Sequence, residues 1–141
     1  GEVKNNQNMH IPVFGNGDAD SPERVKEVKN KYGVDGVMIG RASIGYPWVF
    51  NEIKHFLKTG QHLAKPTLSD RVSACKRHLQ HSIEWKGEVL GIAEMKRHYS
   101  NYFKGIPHFK EYRIKLVTSY NLEEIFETLD KVAVEFEGVK F

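Results

Sequence analysis

The spacing of apolar positions changes character partway along the chain. Before the Gln61–Thr67 stretch, short apolar runs alternate with helical stripes, and after it every periodic signal is helical. Ile11-Pro12-Val13-Phe14 is a short apolar run ending in the turn cluster Gly15-Asn16-Gly17-Asp18, which predicts a buried strand entering a tight loop. Ser21-Pro22-Glu23 offers an N-cap, a proline at the first helical position and an acid in the first turn. The helix it starts runs through Val25 and Val28 to about Lys31, with Gly33 placed to stop it. Val37-Met38-Ile39 predicts a second buried strand, followed at once by Gly40-Arg41. Strand, helix and strand at this spacing make a βαβ unit with parallel pairing. From Pro47 to Thr59, Trp48, Ile53, Phe56 and Leu57 mark another amphipathic helix, stopped by Gly60.

The second half predicts four helices. Thr67-Leu68-Ser69-Asp70 has the form of a capping box, and Leu68, Val72, Cys75, Leu79 and Ile83 fall on one stripe. Gly87 separates this helix from one carrying Ile92, Met95, Tyr99, Tyr102 and Phe103, closed by Gly105 with Pro107 beyond. A shorter helix follows around Phe109–Thr118, and Asn121-Leu122-Glu123-Glu124 opens the last, with Ile125, Leu129, Val132 and Phe136 inward. Short connections imply antiparallel neighbours, hence a four-helix bundle. The expected organisation is α/β over residues 1–64 and all-α over 65–141. Two parallel strands cannot bury both faces of a sheet. The first part therefore either pairs with another chain or, as is expected here, is the end of something longer, such as a barrel of eight units and ~250 residues.

Composition narrows the class. Hydrophobic residues make up 40% and charged residues 28%, a globular balance rather than a disordered one. No apolar run approaches the ~20 residues that span a bilayer. The polar N-terminal residues lack a signal-peptide core, and a single cysteine, Cys75, suits a reducing compartment, so a cytoplasmic location is expected. The net charge of +3 implies little, but its distribution says more. Arg71 to Lys115 holds ten Lys or Arg against four Asp or Glu, and Leu116 to Phe141 holds two against six. A basic middle followed by an acidic tail suggests one face suited to an anion, although solvated helix faces have similar compositions.

The residues with chemistry in the first half sit at the C-terminal ends of the two strands, where barrel active sites lie. Gly15-Asn16-Gly17-Asp18 exposes backbone N–H groups, and Gly40-Arg41 adds a second turn with a guanidinium that can grip phosphate. Spacing alone reads these equally as ordinary strand-ending turns. In the second half Lys96 and Arg97 are adjacent on a helix and diverge by about 100°, so at least one points outward if Met95 and Tyr99 face the core. Arg77, Lys104, Lys110 and Arg113 extend the candidate surface. His78 and His81 are spaced i, i+3, but no third ligand accompanies them and no metal is expected.

The string Ile11-Pro12-Val13-Phe14-Gly15-Asn16-Gly17-Asp18 resembles the strand-7 motif of tRNA-dihydrouridine synthases. Asp35-Gly36-Val37-Met38-Ile39-Gly40-Arg41-Ala42 is similar to the family's strand-8 motif, and Gly45-Tyr46-Pro47-Trp48-Val49-Phe50 to its Gly-x-Pro-Trp-x-Phe continuation. Gly87-Glu88, Met95-Lys96-Arg97-His98-Tyr99 and Tyr102-Phe103-Lys104-Gly105 resemble its helical-domain signature. The resemblance implies the last two βα units of a TIM barrel followed by a tRNA-binding bundle. It also implies an FMN-dependent oxidoreductase that uses NADPH to reduce the C5–C6 bond of uridines in tRNA, a step in tRNA processing. Asn16, Gly17 and Asp18 would then line the flavin site, Gly40 and Arg41 would hold the FMN phosphate, and Lys96, Arg97 and Arg113 would contact RNA. The family's proton-donor cysteine lies on an earlier barrel unit that this sequence lacks. Cys75 falls on an inward stripe and does not replace it, so no catalytic residue is assigned and the chain alone is expected to be inactive.

Two alternatives stay open. Another FMN barrel acting on a small molecule would have no use for the basic helical part. A non-catalytic RNA-binding module would use the βαβ remnant only for packing. The exposed strand edges of such a remnant also suggest self-association.

Overall fold

The computed structural model describes residues 2–139. The chain divides into two compact units, Gly1–Ala64 and Lys65–Phe141.

The first unit runs β1 (Phe14–Asn16), α1 (Pro22–Tyr32), β2 (Gly36–Met38), a 3-10 turn (Arg41–Ser43) and α2 (Val49–Thr59). β1 and β2 pair in parallel, with Phe14 opposite Gly36 and Asn16 opposite Met38. The first ladder lies later than the apolar run at residues 11–14 suggests, and Ile11 is 69% exposed. Asp35 supplies the reason. Its carboxylate accepts from the Val13 amide at 2.7 Å and from Lys4 Nζ at 2.6 Å, while its own N–H donates to the Val13 carbonyl at 2.9 Å. Val13 is thus clamped just ahead of the ladder, and the Lys4 hydrogen bond holds the Asp35 carboxyl below the usual carboxylate range. Ser21 caps α1 by accepting from the Arg24 amide, and Gly33 ends it at φ 62°, a left-handed position that glycine adopts readily. Ala19, Val25, Val49 and Ile53 form a small core between the helices.

The second unit is α3 (Leu68–Lys86), α4 (Glu88–Tyr102), α5 (Lys110–Thr118) and α6 (Leu122–Glu135). α3 packs on α4 and α6, and α5 packs on the same two helices. The α3 capping box forms in both directions: Asp70 N–H donates to Thr67 Oγ1 and Thr67 N–H to the Asp70 carboxylate. Leu79, Met95, Tyr99, Leu116, Leu129 and Val132 are wholly buried. Ile83 is only half-buried, and Ser82 takes the inward position instead, its hydroxyl donating to the Gly91 carbonyl at 3.3 Å. Gly91 permits this approach. A Cβ there would lie 2.7 Å from backbone atoms of Ile83.

Candidate functional site

β1 and β2 run in the same direction, so their C-terminal ends deliver the loops beginning at Gly17 and Gly40 to one place. There they enclose a cleft of about 640 Å³ lined by Asn16, Gly17, Asp18, Asp20, Gly40 and Arg41. All five residues expected at a cofactor site in this unit are therefore brought together. Across the cleft Arg41 Nη2 donates to Asp18 Oδ1. Both side chains are mostly exposed, 82% and 77% respectively, and exposed ion pairs of this kind contribute about 0–1 kcal/mol. A pair this exposed leaves the guanidinium free to exchange Asp18 for another anion.

The glycines make a sharper test of fit. A Cβ built on Gly17 or on Gly40 meets nothing within 4 Å. Neither residue lies in the left-handed region. No neighbouring atom thus calls for glycine at either position, although Gly40 sits at φ −103°, ψ −103°, and both leave backbone open on the same cleft. This suits a ligand that approaches the main chain closely. Gly36 differs, since a Cβ there would meet the ring of Phe14, its partner across the sheet, at 2.4 Å unless that exposed side chain turned aside. The cleft also carries Asp18 and Asp20 against one Arg41, so an anion fits only at its Gly40–Arg41 side.

In the second unit the expected RNA residues separate. Lys96 is half-buried and sets its ammonium 3.3 Å from the centre of the Tyr120 ring, a cation–π contact. Arg97 is exposed but donates to Glu94 at 2.5 Å. Glu94 also takes Lys86, whose hydrogen bond holds the Glu94 carboxyl below its usual range. Arg113 lies apart from both, on a groove lined also by Lys104 and Lys110. Sequence reasoning named these lysines as neighbours of the surface. It could not show that they converge with Arg113, because that depends on the α4–α5 connection.

The histidines resolve into packing. His78 Nδ1 is 3.2 Å from the Tyr102 hydroxyl, and its ring centre lies 4.7 Å from that of His98. Burial, as the main cause, lowers both below the ordinary histidine value. His81 turns instead to Glu84 at 3.2 Å. Among the described residues no group of three or more His, Cys, Asp or Glu is placed to hold a metal ion. Cys75 is 0% exposed, and burial pushes its thiol far up, which suits packing rather than proton transfer. Burial likewise raises the Tyr102 hydroxyl, to about 12.

The sequence model of the dihydrouridine synthase family matches residues 1–137. Among curated proteins, the chain is similar to tRNA-dihydrouridine synthase B of Pseudomonas putida, at 41% identity over 109 residues, 77% of this chain and 32% of that protein. It is also similar to a probable tRNA-dihydrouridine synthase of Rickettsia conorii, at 33% over 107 residues, covering 76% and 32% respectively. A probable tRNA-dihydrouridine synthase 1 of a Synechocystis strain matches at 35% over 129 residues, 92% of this chain and 36% of the relative. The chain spans about a third of the length of the curated relatives it matches. No described helix is long and apolar enough to cross a membrane.

Proposed function

We propose, because this chain belongs to the dihydrouridine synthase family, that it forms the last two βα units of an FMN-binding TIM barrel, residues 1–64, and a four-helix tRNA-binding bundle, residues 65–141. The observation that carries the flavin half is the pair of glycines, Gly17 and Gly40, with open space where each Cβ would stand, on a cleft that holds one weakly engaged arginine. Gly40 and Arg41 would hold the FMN phosphate at the one side of the cleft where an anion is favoured. Asn16 and Asp18 would offer a side-chain amide and a carboxylate to the hydroxyl-bearing chain of the cofactor, with Gly17 leaving the main chain open. FMN, when bound, supplies hydride transfer from NADPH to the C6 side of a uracil ring. This chain's part is to fix the phosphate end, and Arg41 exchanges Asp18 for phosphate as it does so.

The proton for the other carbon must come from a group with access to the base. Cys75 has no exposure, so the donor is proposed to lie in the remainder of the full-length enzyme and the chain alone to be inactive. The target uridine is taken out of its stack to react, and the cytoplasm, where tRNA is processed, is the proposed location. Phe14 and Met38 are 68% and 57% exposed on the two strands, which supports further barrel strands covering them in the whole enzyme. In the isolated chain the same exposure supports self-association, which sedimentation over a concentration series measures.

The test joins this chain to the preceding two thirds of a curated relative and supplies unmodified tRNA, NADPH and FMN. The chimera should form dihydrouridine, Arg41→Ala should lower flavin retention, and the chain alone should form none. A chimera that retains flavin and reduces a small-molecule substrate but not tRNA would favour a different flavin barrel.

A further inference from the structure

We infer that the groove between the end of α4 and the start of α5 is a phosphate-binding site, formed by Lys104, Lys110 and Arg113, that seats one segment of a folded RNA backbone. The inference rests on the RNA-binding reading above and assigns it to a surface other than Lys96 and Arg97. The groove measures about 330 Å³ and includes Ser100, Phe103 and Phe109 with the three cations. Phe103 and Phe109 are 2% and 8% exposed, and their rings meet at 5.0 Å, giving the groove a fixed apolar floor. Lys104, Lys110 and Arg113 are all exposed around it.

Charge pairing marks this place within the unit, where Lys65 and Arg77 also lack an ion-pair or ring partner among the described residues but do not line the groove. Lys76 is engaged by Asp130, Lys86 and Arg97 by Glu94, and Lys131 by Glu127. Lys96 lies over the Tyr120 ring and Lys115 faces that of Tyr112. None of the three groove cations has an ion-pair or ring partner among the described residues. Three unneutralised charges around one concavity repel each other, and a bound anion relieves that repulsion.

Two backbone features support the same placement. α5 begins at Lys110 after the N-cap residue Phe109, whose side chain makes no capping hydrogen bond, so the helix start leaves amides of its first turn uncapped beside the groove, with Glu111 the one acid in that turn. The connection leading into it holds His108 at φ 56° and Gly105 at φ 96°. A non-glycine residue in the left-handed region persists where surrounding structure fixes it. The three cations reach the groove because that connection turns tightly. A phosphodiester suits the site, since Lys and Arg contacts to the backbone position an RNA without reading its bases.

The experiment measures anisotropy of a fluorescent unmodified tRNA transcript bound to the whole chain, from roughly 50 to 200 mM salt. The triple variant Lys104→Gln, Lys110→Gln, Arg113→Gln should weaken binding at least tenfold at low salt, as judged by the counterion-release relation, and lower the log–log salt slope by about two to three. Single substitutions should each lower the slope by about one, Arg113→Lys should preserve it, and Lys131→Gln should leave the parent curve unchanged. Circular dichroism of each variant verifies folding, and the single variants carry the test if the triple one unfolds. If the parent binds RNA and the groove variants follow its curve, the groove is not the site, and RNA binding itself stands. If the parent shows no salt-dependent binding, the RNA-binding reading falls and the groove falls with it.

Discussion

Replacing Gly91 with alanine sets two opposing effects against each other, and the structure decides between them. Gly91 lies in the first turn of α4, and alanine in a helix is favoured over glycine by about 0.8–1.0 kcal/mol. Against this, the new Cβ would stand 2.7 Å from Ile83 Cα and N and 2.9 Å from the Ser82 carbonyl carbon. Carbon contacts are comfortable at ~3.5–4.0 Å, so α4 must retreat from α3 by nearly an ångström. The obstructing atoms are backbone, which no change of rotamer can move aside. Retreat would also stretch the Ser82 hydroxyl bond to the Gly91 carbonyl, now 3.3 Å. Overpacking of this kind costs about 1–3 kcal/mol, and the upper part of that range applies because the helix moves as a body. The net loss is about 1–2 kcal/mol, equivalent to a fall in Tm of roughly 4–15 °C for a domain of this size. Thermal unfolding followed at 222 nm measures it. A Tm equal to or above that of the parent would refute the close α3–α4 approach.

Two further outcomes follow from burial. Cys75 should remain inert to a thiol reagent in the native chain near pH 8 and react at once in denaturant. Rapid native labelling would contradict its place in the core. His78 and His98 are held below their ordinary value of 6.5 chiefly by burial, helped at His98 by His78 and at His78 by His81, with Arg97 adding to the effect at both and Glu94 opposing it. The unfolded chain therefore binds more protons than the folded one in this range. Stability should be full above about pH 6.5 and fall as the pH drops towards the lowered folded values. His98→Gln should flatten the dependence of Tm on pH between about 7.5 and 5.5, and stabilisation on acidification would invert the sign of the argument.

Local chemistry made much of this fold legible. Ser21-Pro22, the Thr67–Asp70 box and Asn121 each cap the helix that their residue types announce, and Gly33 and Gly60 end theirs in the left-handed region. These signals act within one turn, so no tertiary context is needed to read them. The first strand was less legible because apolar content marks what is buried, whereas the ladder is set by which backbone groups meet. Here the Asp35 clamp on Val13 decides that. At the candidate cleft, sequence grouped Asn16, Gly17, Asp18, Gly40 and Arg41 through the logic of parallel strand ends. It could not show that Arg41 is held by Asp18, a partner distant in sequence. The basic surface was least legible. Charge counts treat Lys96, Arg97 and Arg113 alike, yet the first lies on a tyrosine ring, the second is paired to Glu94, and only the third is unpaired on a groove. Partners contributed by neighbouring turns and helices make that difference.

The flavin claim is tested most directly by titrating the 15N-labelled chain with FMN, with riboflavin as the comparator lacking phosphate. The account predicts amide shifts centred on Gly17, Asp18, Gly40 and Arg41 that are weaker with riboflavin and weaker still in Arg41→Ala. Shifts that ignore the loss of phosphate, that survive Arg41→Ala, or that fall outside the strand-end cleft would contradict it.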